Sequence, residues 1–332
     1  MTVVTGENGA GKTSLIEAVG YASTLRSFRG SPREALVRAG APRALVRVEV
    51  AEETRAVEIR IEIVPGRRDE VRVNGQRHSG VEALLEVLQV TVFTPDDLAL
   101  IKGAPEGRRR YLDDLLEVSR PRLAALRLQV ERVLRQRNTL LRQAGGRATA
   151  EVMATLEVWD DQLARHGSAL VAERERLVAE LGPHVADAFA RLTGVAVPLA
   201  LSYARSYPGT LAEALAAARA EDLRRQVTTV GPQRDDLVMA CGDLDARSRL
   251  SQGQQRAATL ALRLAGHEVT AARRARRPVL LLDDAFSELD ERAGRALLSE
   301  LPAGQALLTT AHPLPPGARP AARHHLAGGV LE

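Results

Sequence analysis

A single cysteine, Cys241, stands in 332 residues, so no internal disulfide can form, and no Cys/His cluster has metal-site spacing. A reducing interior follows as the expected compartment, the cytoplasm. Aromatic residues make up only 3% of the chain. That argues against a groove of stacked bases, because stacking needs flat side chains at intervals along the strand. Any nucleic acid is therefore expected to be held by its phosphates. No apolar run approaches the roughly 20 residues of a membrane span, and the N-terminus has no charged-then-apolar signal pattern, so no membrane partner is expected. Lysine is almost missing too: of 46 Lys and Arg, only Lys12 and Lys102 are lysines. The formal net charge of +4 is too small for this length to establish a polyanionic partner by itself.

With 45% hydrophobic residues, the chain can bury a substantial core and exceeds what one compact lobe usually holds. "MTVVTG" reads as a short strand breaking into glycine, and "KTSLIEAVGYAS" as a helix with Leu15, Ile16 and Val19 at helical spacing. "ALVRVEV", "VEIRIEIV" and "EVRVNG" alternate at period two, which predicts a half-buried antiparallel sheet with a hairpin turn at Asn74-Gly75. "LQVTVFTPDDLALI" reads as a strand running into a helix start. From about Ser119 the text becomes arginine-rich helix, with Leu123, Leu126, Val130 and Val133 on one face. "QAGGRA" interrupts it, and Leu156, Leu163, Leu170 and Leu177 then recur every seven residues, the period of a supercoiled partner helix. Strand-and-loop text returns after Gln226 and includes the apolar strand "PVLLLDD" and the strand "QALLTTAH". The predicted organisation is a discontinuous nucleotide-binding lobe over 1–118 and 226–332, split by a helical hairpin arm over 119–225.

Gly6, Gly11, Lys12 and Thr13 fit G-x-x-x-x-G-K-[ST] between a predicted strand and a predicted helix. Glu7, Asn8, Gly9 and Ala10 complete the loop, and Ser14 follows it. Glycines let backbone N–H groups curl around phosphate, the helix N-terminus adds its dipole, and Thr13 offers a hydroxyl to magnesium. Lys12 is instructive in a chain that otherwise uses arginine. A compact ammonium fits over the β- and γ-phosphates, whereas a guanidinium is wide and planar. Lys102 invites the same question more weakly, either as a contact to phosphate of nucleotide or DNA, or as a solvated helix-end cation. Asp283 and Asp284 end an all-apolar strand, where P-loop enzymes hold magnesium. Asp283 is the expected metal-side acid and Asp284 the base or water-positioning group. A capping acid pair would leave the preceding "VLLL" and the following "SELD" unexplained. Ser251 and Gly253 sit where a loop enters a helix, a place for a hydroxyl and bare N–H groups to face an anion.

The order along the chain is phosphate loop, helical insertion, S-Q-G-Q-Q, acid strand, "SELD", and then His312 after a strand. It resembles the ABC-type ATPase head of SMC-like proteins, in which a signature serine and glycine reach across a dimer to the γ-phosphate bound by the other subunit. "GENGAGKTSLIEA", "FTPDDLALIKGAPEGRRRYLDDLL", "TTVGPQRDDL", "LSQGQQRAATLALRLA" and "LLLDDAFSELD" narrow the resemblance to the RecF family of bacterial recombination proteins. The implied fold is an α/β ABC-type P-loop ATPase head with an antiparallel β subdomain and a short inserted helical hairpin arm. By that resemblance, Gly6 to Thr13 bind ATP and Asp283 is the acid associated with Mg2+. Asp284 is the catalytic carboxylate, Ser251 and Gly253 form the trans signature, Asp290 is the dimer-facing loop acid, and His312 is the γ-phosphate switch.

The family usually carries a strand and a further segment ahead of the phosphate loop, whereas this chain begins five residues before Gly6; the expectation is a start assigned too late. Gln233 stands where the family usually has histidine. The glutamine of the Q-loop has no clear match, and the region from Gln89 to Asp97 is where it is expected.

The function implied is weak, DNA-stimulated ATP hydrolysis in recombinational gap repair, within DNA replication and the SOS response. An ATP-dependent homodimer would bind duplex DNA and its gap junctions and act with RecR and RecO to help load RecA. Candidate phosphate contacts are Arg26, Arg29, Arg33, the run Arg108-Arg109-Arg110, Arg132 and Arg135. A nucleotide-binding subunit of another ABC-type ATPase, in a transporter or an SMC-like protein, shares the head. It differs in the inserted piece, the signature or the coiled-coil length.

Overall fold

The computed structural model describes residues 1–52, 55–287, 289 and 291–332. They form two compact units, Met1–Asp97 with Arg191–Thr193 and Arg263–Glu332, and Leu98–Ala190 with Gly194–Leu262. The second unit holds nearly all of the 119–225 arm and also takes in residues 98–118 and 226–262, so compactness divides the chain at other points than its composition does.

The first unit opens with strand β1 (Thr2–Thr5), the glycine loop and helix α1 (Lys12–Thr24). Strands β2 (Ala44–Glu52), β3 (Arg55–Ile63), β4 (Glu70–Val73) and β5 (Gln76–His78) then form one antiparallel sheet in sequence order. Asn74 and Gly75 join the last two strands with φ of 49° and 79°, the paired positive values that match a tight turn to strand twist. Alternation puts Ile59, Ile61 and Val71 on the face packed against Ile16 and Tyr21 of α1 and Leu84 of helix α2 (Glu82–Val87). On the other face Arg47, Arg60, Arg72 and Arg77 stand opposite one another across all four strands. Like charges in register repel. Glutamates on neighbouring rows offset this, Glu58 lying 2.5 Å from Arg47 and Glu70 2.9 Å from Arg72. Strand β6 (Val90–Phe93) closes this stretch.

In the second unit come helices α3 (Ala99–Lys102), α4 (Pro105–Ser119), α5 (Ala124–Ala144) and α6 (Ala150–Thr193). Gly145 turns the chain between α5 and α6 with φ of 55°, and the heptad leucines Leu156, Leu163, Leu170 and Leu177 are all buried. Strand β7 (Leu199–Ala204), helix α7 (Leu211–Arg225), strands β8 (Asp236–Cys241) and β9 (Leu244–Asp245), and helices α8 (Ala246–Arg249) and α9 (Gln252–Arg274) follow. The "GPQRDDL" block is a polar hub. Arg174 of α6 grips Asp113 of α4 with two 2.8 Å bonds and donates to Pro232 O at 2.7 Å. The Tyr203 hydroxyl donates to Asp235 at 2.8 Å. Arg108 is a correction to the phosphate-contact reading. It is buried, makes two 2.8 Å bonds to Asp236, and donates to Gly103 O at 2.9 Å. A guanidinium so enclosed is committed to its own fold.

The chain returns to the first unit at Arg263, within α9, and continues with strand β10 (Val279–Asp283), helix α10 (Glu291–Glu300), and strands β11 (Ala306–Thr310), β12 (Ala322–Ala327) and β13 (Val330–Leu331). They complete a six-stranded sheet of order β13-β12-β1-β11-β10-β6, parallel except at β13. Because the strands run together, Thr5, Asp283, Thr310 and Phe93 all reach the same carboxyl edge.

His267 of α9 packs beneath this sheet, with Nδ1 3.2 Å from Thr91 Oγ1 and Nε2 buried without a partner among the described residues. Burial pushes its pKa below the ordinary histidine value. The unfolded chain therefore binds the proton more readily. Stability is complete above about pH 6.5 and declines as pH falls below that value toward the folded pKa. Thermal melts at pH 7.5 and 5.5 are expected to show a smaller loss for His267→Gln than for the parent. Equal losses would remove His267 as the cause.

Candidate nucleotide site

β1 ends at Thr5, and Gly6 begins the loop under a tight steric limit: a Cβ there would lie 2.4 Å from Leu326 O of β12. Gly9 and Gly11 take φ of 84° and 104°, which side chains rarely allow. Glu7, Asn8 and Gly9 are exposed, Ala10 and Gly11 half-buried, and Ala10 N closes a turn onto Glu7 O at 3.2 Å. Lys12, only 8% exposed, folds its ammonium back to donate to Gly6 O and Glu7 O at 2.8 Å each. Thr13 follows at the start of α1 and donates from Oγ1 to Asp283 Oδ1 at 3.1 Å, with Ser14 exposed beside it. The loop, the helix start and the acid strand thus meet through one hydroxyl–carboxylate bond.

Asp283 is buried and also accepts from Thr309 Oγ1 at 2.6 Å. Asp284 stands at φ 47°, a left-handed conformation that costs a non-glycine residue energy unless its surroundings hold it. Its N–H donates to Thr309 O at 3.0 Å, and its carbonyl accepts from Ser287 Oγ at 2.8 Å. One carboxylate oxygen of Asp284 is buried with no partner among the described residues. Thr309 therefore orients both acids, and sequence reasoning missed it. The only signal was the pair of threonines ending "QALLTT". Thr310 Oγ1 donates to His312 O at 3.0 Å and accepts from His312 N at 3.0 Å, which fixes the backbone of exposed His312 just past the same edge.

Ser251 and Gly253 lie in the second unit, both exposed. Ser251 and Gln254 cap α9 reciprocally, Ser251 N donating to Gln254 Oε1 at 2.9 Å and Gln254 N to Ser251 Oγ at 3.3 Å. Gly253 has no such internal duty: a Cβ there would meet nothing within 4 Å among the described residues. Asp290 lies outside the described residues. Lys102 is exposed at the end of α3. The search region for a Q-loop residue narrows. Gln89 precedes β6, at the opposite end of the strand from the site, and its side chain donates to Leu85 O. Only Thr94 to Asp97 follow Phe93 onto the carboxyl edge. There Asp97 accepts from Thr94 N at 2.9 Å and from Arg263 Nε at 3.1 Å.

The family model for the RecF/RecN/SMC N-terminal domain matches residues 1–309. Over 350 aligned residues the chain is 41% identical to the DNA replication and repair protein RecF of Streptomyces avermitilis, covering all of this chain and 93% of that one. The chain belongs to the RecF family. RecF of Frankia alni is 42% identical over 331 residues, spanning 94% of this chain and 87% of that protein. A solved structure of the recombination mediator protein RecF with ATP, in the RecFOR pathway, superposes with a TM-score of 0.89 at 26% identity, over 100% of this chain and 90% of that one. The Smc head domain of Pyrococcus furiosus follows at a TM-score of 0.55 and 16% identity, covering 100% of this chain and 88% of that one, and shows the shared fold. The architecture of this RecF-family chain is accordingly the α/β ABC-type ATPase head. No helix among the described residues is long and apolar enough to cross a membrane.

Proposed function

We propose that this RecF-family chain is a weak, DNA-stimulated ATPase of recombinational gap repair. It dimerises on ATP, binds duplex DNA and gap junctions, and acts with RecO- and RecR-type partners to help load RecA. One observation carries the reading: a glycine-rich loop, a lysine, a hydroxyl and two carboxylates converge on the carboxyl edge of a parallel sheet, where open α/β folds bind ligands. Gly6 to Ser14 would cradle the phosphates, with Lys12 exchanging its two loop carbonyls for phosphate oxygens. Thr13 and Asp283 would hold Mg2+, which would neutralise charge on the phosphates when bound. Among the described residues no group of three or more His, Cys, Asp and Glu gathers to hold a metal unaided. This suits an ion completed by phosphate and water. One oxygen of Asp284 meets no donor among the described residues, as a group that orients water requires.

Glycine early in a helix costs about 1 kcal/mol relative to alanine. At Gly253 nothing among the described residues of this protomer explains it. Close approach by the nucleotide of a second copy does, with the Ser251 hydroxyl beside it, and Asp290 and His312 complete the proposed shared site. The relatives' names as DNA replication and repair proteins support the cellular role, and the family match removes the transporter alternative.

The test is sizing chromatography of Asp284→Asn with and without ATP. A dimer appearing only with ATP is the expected result. A protein that binds the nucleotide yet stays monomeric would refute the shared-site model.

A further inference from the structure

Residues 25–43, just after α1, and 64–69, the turn between β3 and β4, carry seven arginines against two acids, Glu34 and Asp69. Arg33 fastens the two segments together. It donates to Arg67 O at 2.5 Å and to Asp69, whose other carboxylate oxygen accepts the Tyr21 hydroxyl of α1 at 2.5 Å. Glu17 of α1 accepts from Ser27 Oγ and lies 3.8 Å from Arg29. The Ser27 hydroxyl in turn receives the N–H groups of Arg29 and Ser31 at 3.2 and 3.1 Å.

The placement of these charges is what matters. The anchoring carboxylates lie underneath, the side chains of Asp69 and Glu17 being 10% and 8% exposed, while those of Arg33 and Arg29 are 38% and 50% exposed. Arg38 and Arg67 are exposed, and neither guanidinium bonds a protein group among the described residues. The surface thus presents cations outward and keeps its two anchoring acids below, Glu34 being the one acid of these segments that is exposed, with its backbone already pinned.

Three other arginine-rich regions differ among the described residues. On the arm, Arg127 bonds Glu131 and Asp114 at 3.0 Å, and Arg135 lies 3.8 Å from Glu131. The arginine row on the antiparallel sheet is flanked by glutamates on the same exposed face. Arg108 is buried.

We infer that the surface made by residues 25–43 and 64–69, with Arg38 and Arg67 as its free cations, is where this chain grips the phosphate backbone of duplex DNA. This rests on the DNA-binding reading above and gives it a location. Contacts of this kind carry no base information and weaken as salt rises. The surface also stands at the far end of the helix that starts at the phosphate loop, since α1 has 13 residues and so extends about 20 Å. Glu17 and Tyr21 of that helix hold its anchors, so the two phosphate-facing ends share one rigid element.

The experiment titrates a fluorescent gapped duplex with the full chain in ATP across a range of NaCl. It compares the parent, Arg38→Glu/Arg67→Glu, and the arm variant Arg132→Glu/Arg135→Glu, which makes the same change in net charge. The patch variant is expected to bind about tenfold or more weakly, and its plot of log affinity against log salt to flatten by about 1.8, at about 0.9 per lost phosphate contact. The arm variant should match the parent, and all three should bind a fluorescent ATP analogue equally. An unchanged slope for the patch variant, or equal weakening in both variants, overturns the assignment. A parent that fails to bind DNA at any salt overturns the DNA-binding reading itself, a separate and distinguishable result.

Discussion

Lys12→Arg is expected to lower ATP turnover about 10²–10³-fold, the cost of losing one well-placed donor to a transferring group, while the protein still folds. The ammonium sits within 2.8 Å of two loop carbonyls in a site that leaves it 8% exposed. A guanidinium brings a planar fork where a point charge fits. The loop has little room to move aside, because Gly6 lies against the backbone of Leu326 and Gly9 and Gly11 already hold positive φ. Charge is conserved in the exchange, so a fall in turnover isolates shape. Steady-state hydrolysis together with a thermal melt checks it. Turnover equal to the parent's would mean that the near absence of lysine elsewhere carries no information about this position.

The second large effect is structural. Asp222→Ala is expected to cost about 3–5 kcal/mol, as breaking one side of a buried ion pair does. Arg137 and Asp222 are both 0% exposed, and NH1 of the arginine donates to the carboxylate at 2.7 Å. Asp160 takes Arg137 Nε at 2.8 Å, and Thr229 N and Oγ1 donate to Asp222 at 2.8 and 2.5 Å. The network joins α5, α6 and α7 with the start of the "TTVGPQRDDL" block. Removing Asp222 strands part of a desolvated guanidinium and leaves the Thr229 N–H without its acceptor. The double variant Asp222→Ala/Arg137→Met should recover part of the loss, since no buried cation then lacks its partner. Urea unfolding measures both. A single variant as stable as the parent would show that the site admits water.

Elements whose cause is local were legible from the residues. The phosphate loop is a strand broken by glycine into a helix, and Asn74-Gly75 sets its own turn. The heptad leucines declare a buried stripe because side chains seven apart share a helix face. The span from Gln89 to Asp97 covers both ends of β6, because text near a strand does not say which end of the sheet will hold the ligand. Arg108 reads as a candidate phosphate contact for a related reason: its partner Asp236 is 128 positions away.

The family, the glycine loop, the strand that ends in two acids and the long helices with their heptad leucines can be read from residue types at short, fixed spacing. Only the tertiary structure decided that Thr309 orients both acids, which parallel register between β10 and β11 brings about. It alone also sorted the arginines into those enclosed with carboxylates and those left facing water. The physical reason is that desolvation and charge pairing arise between segments distant in the chain, so a cation's role depends on neighbours its local sequence does not name.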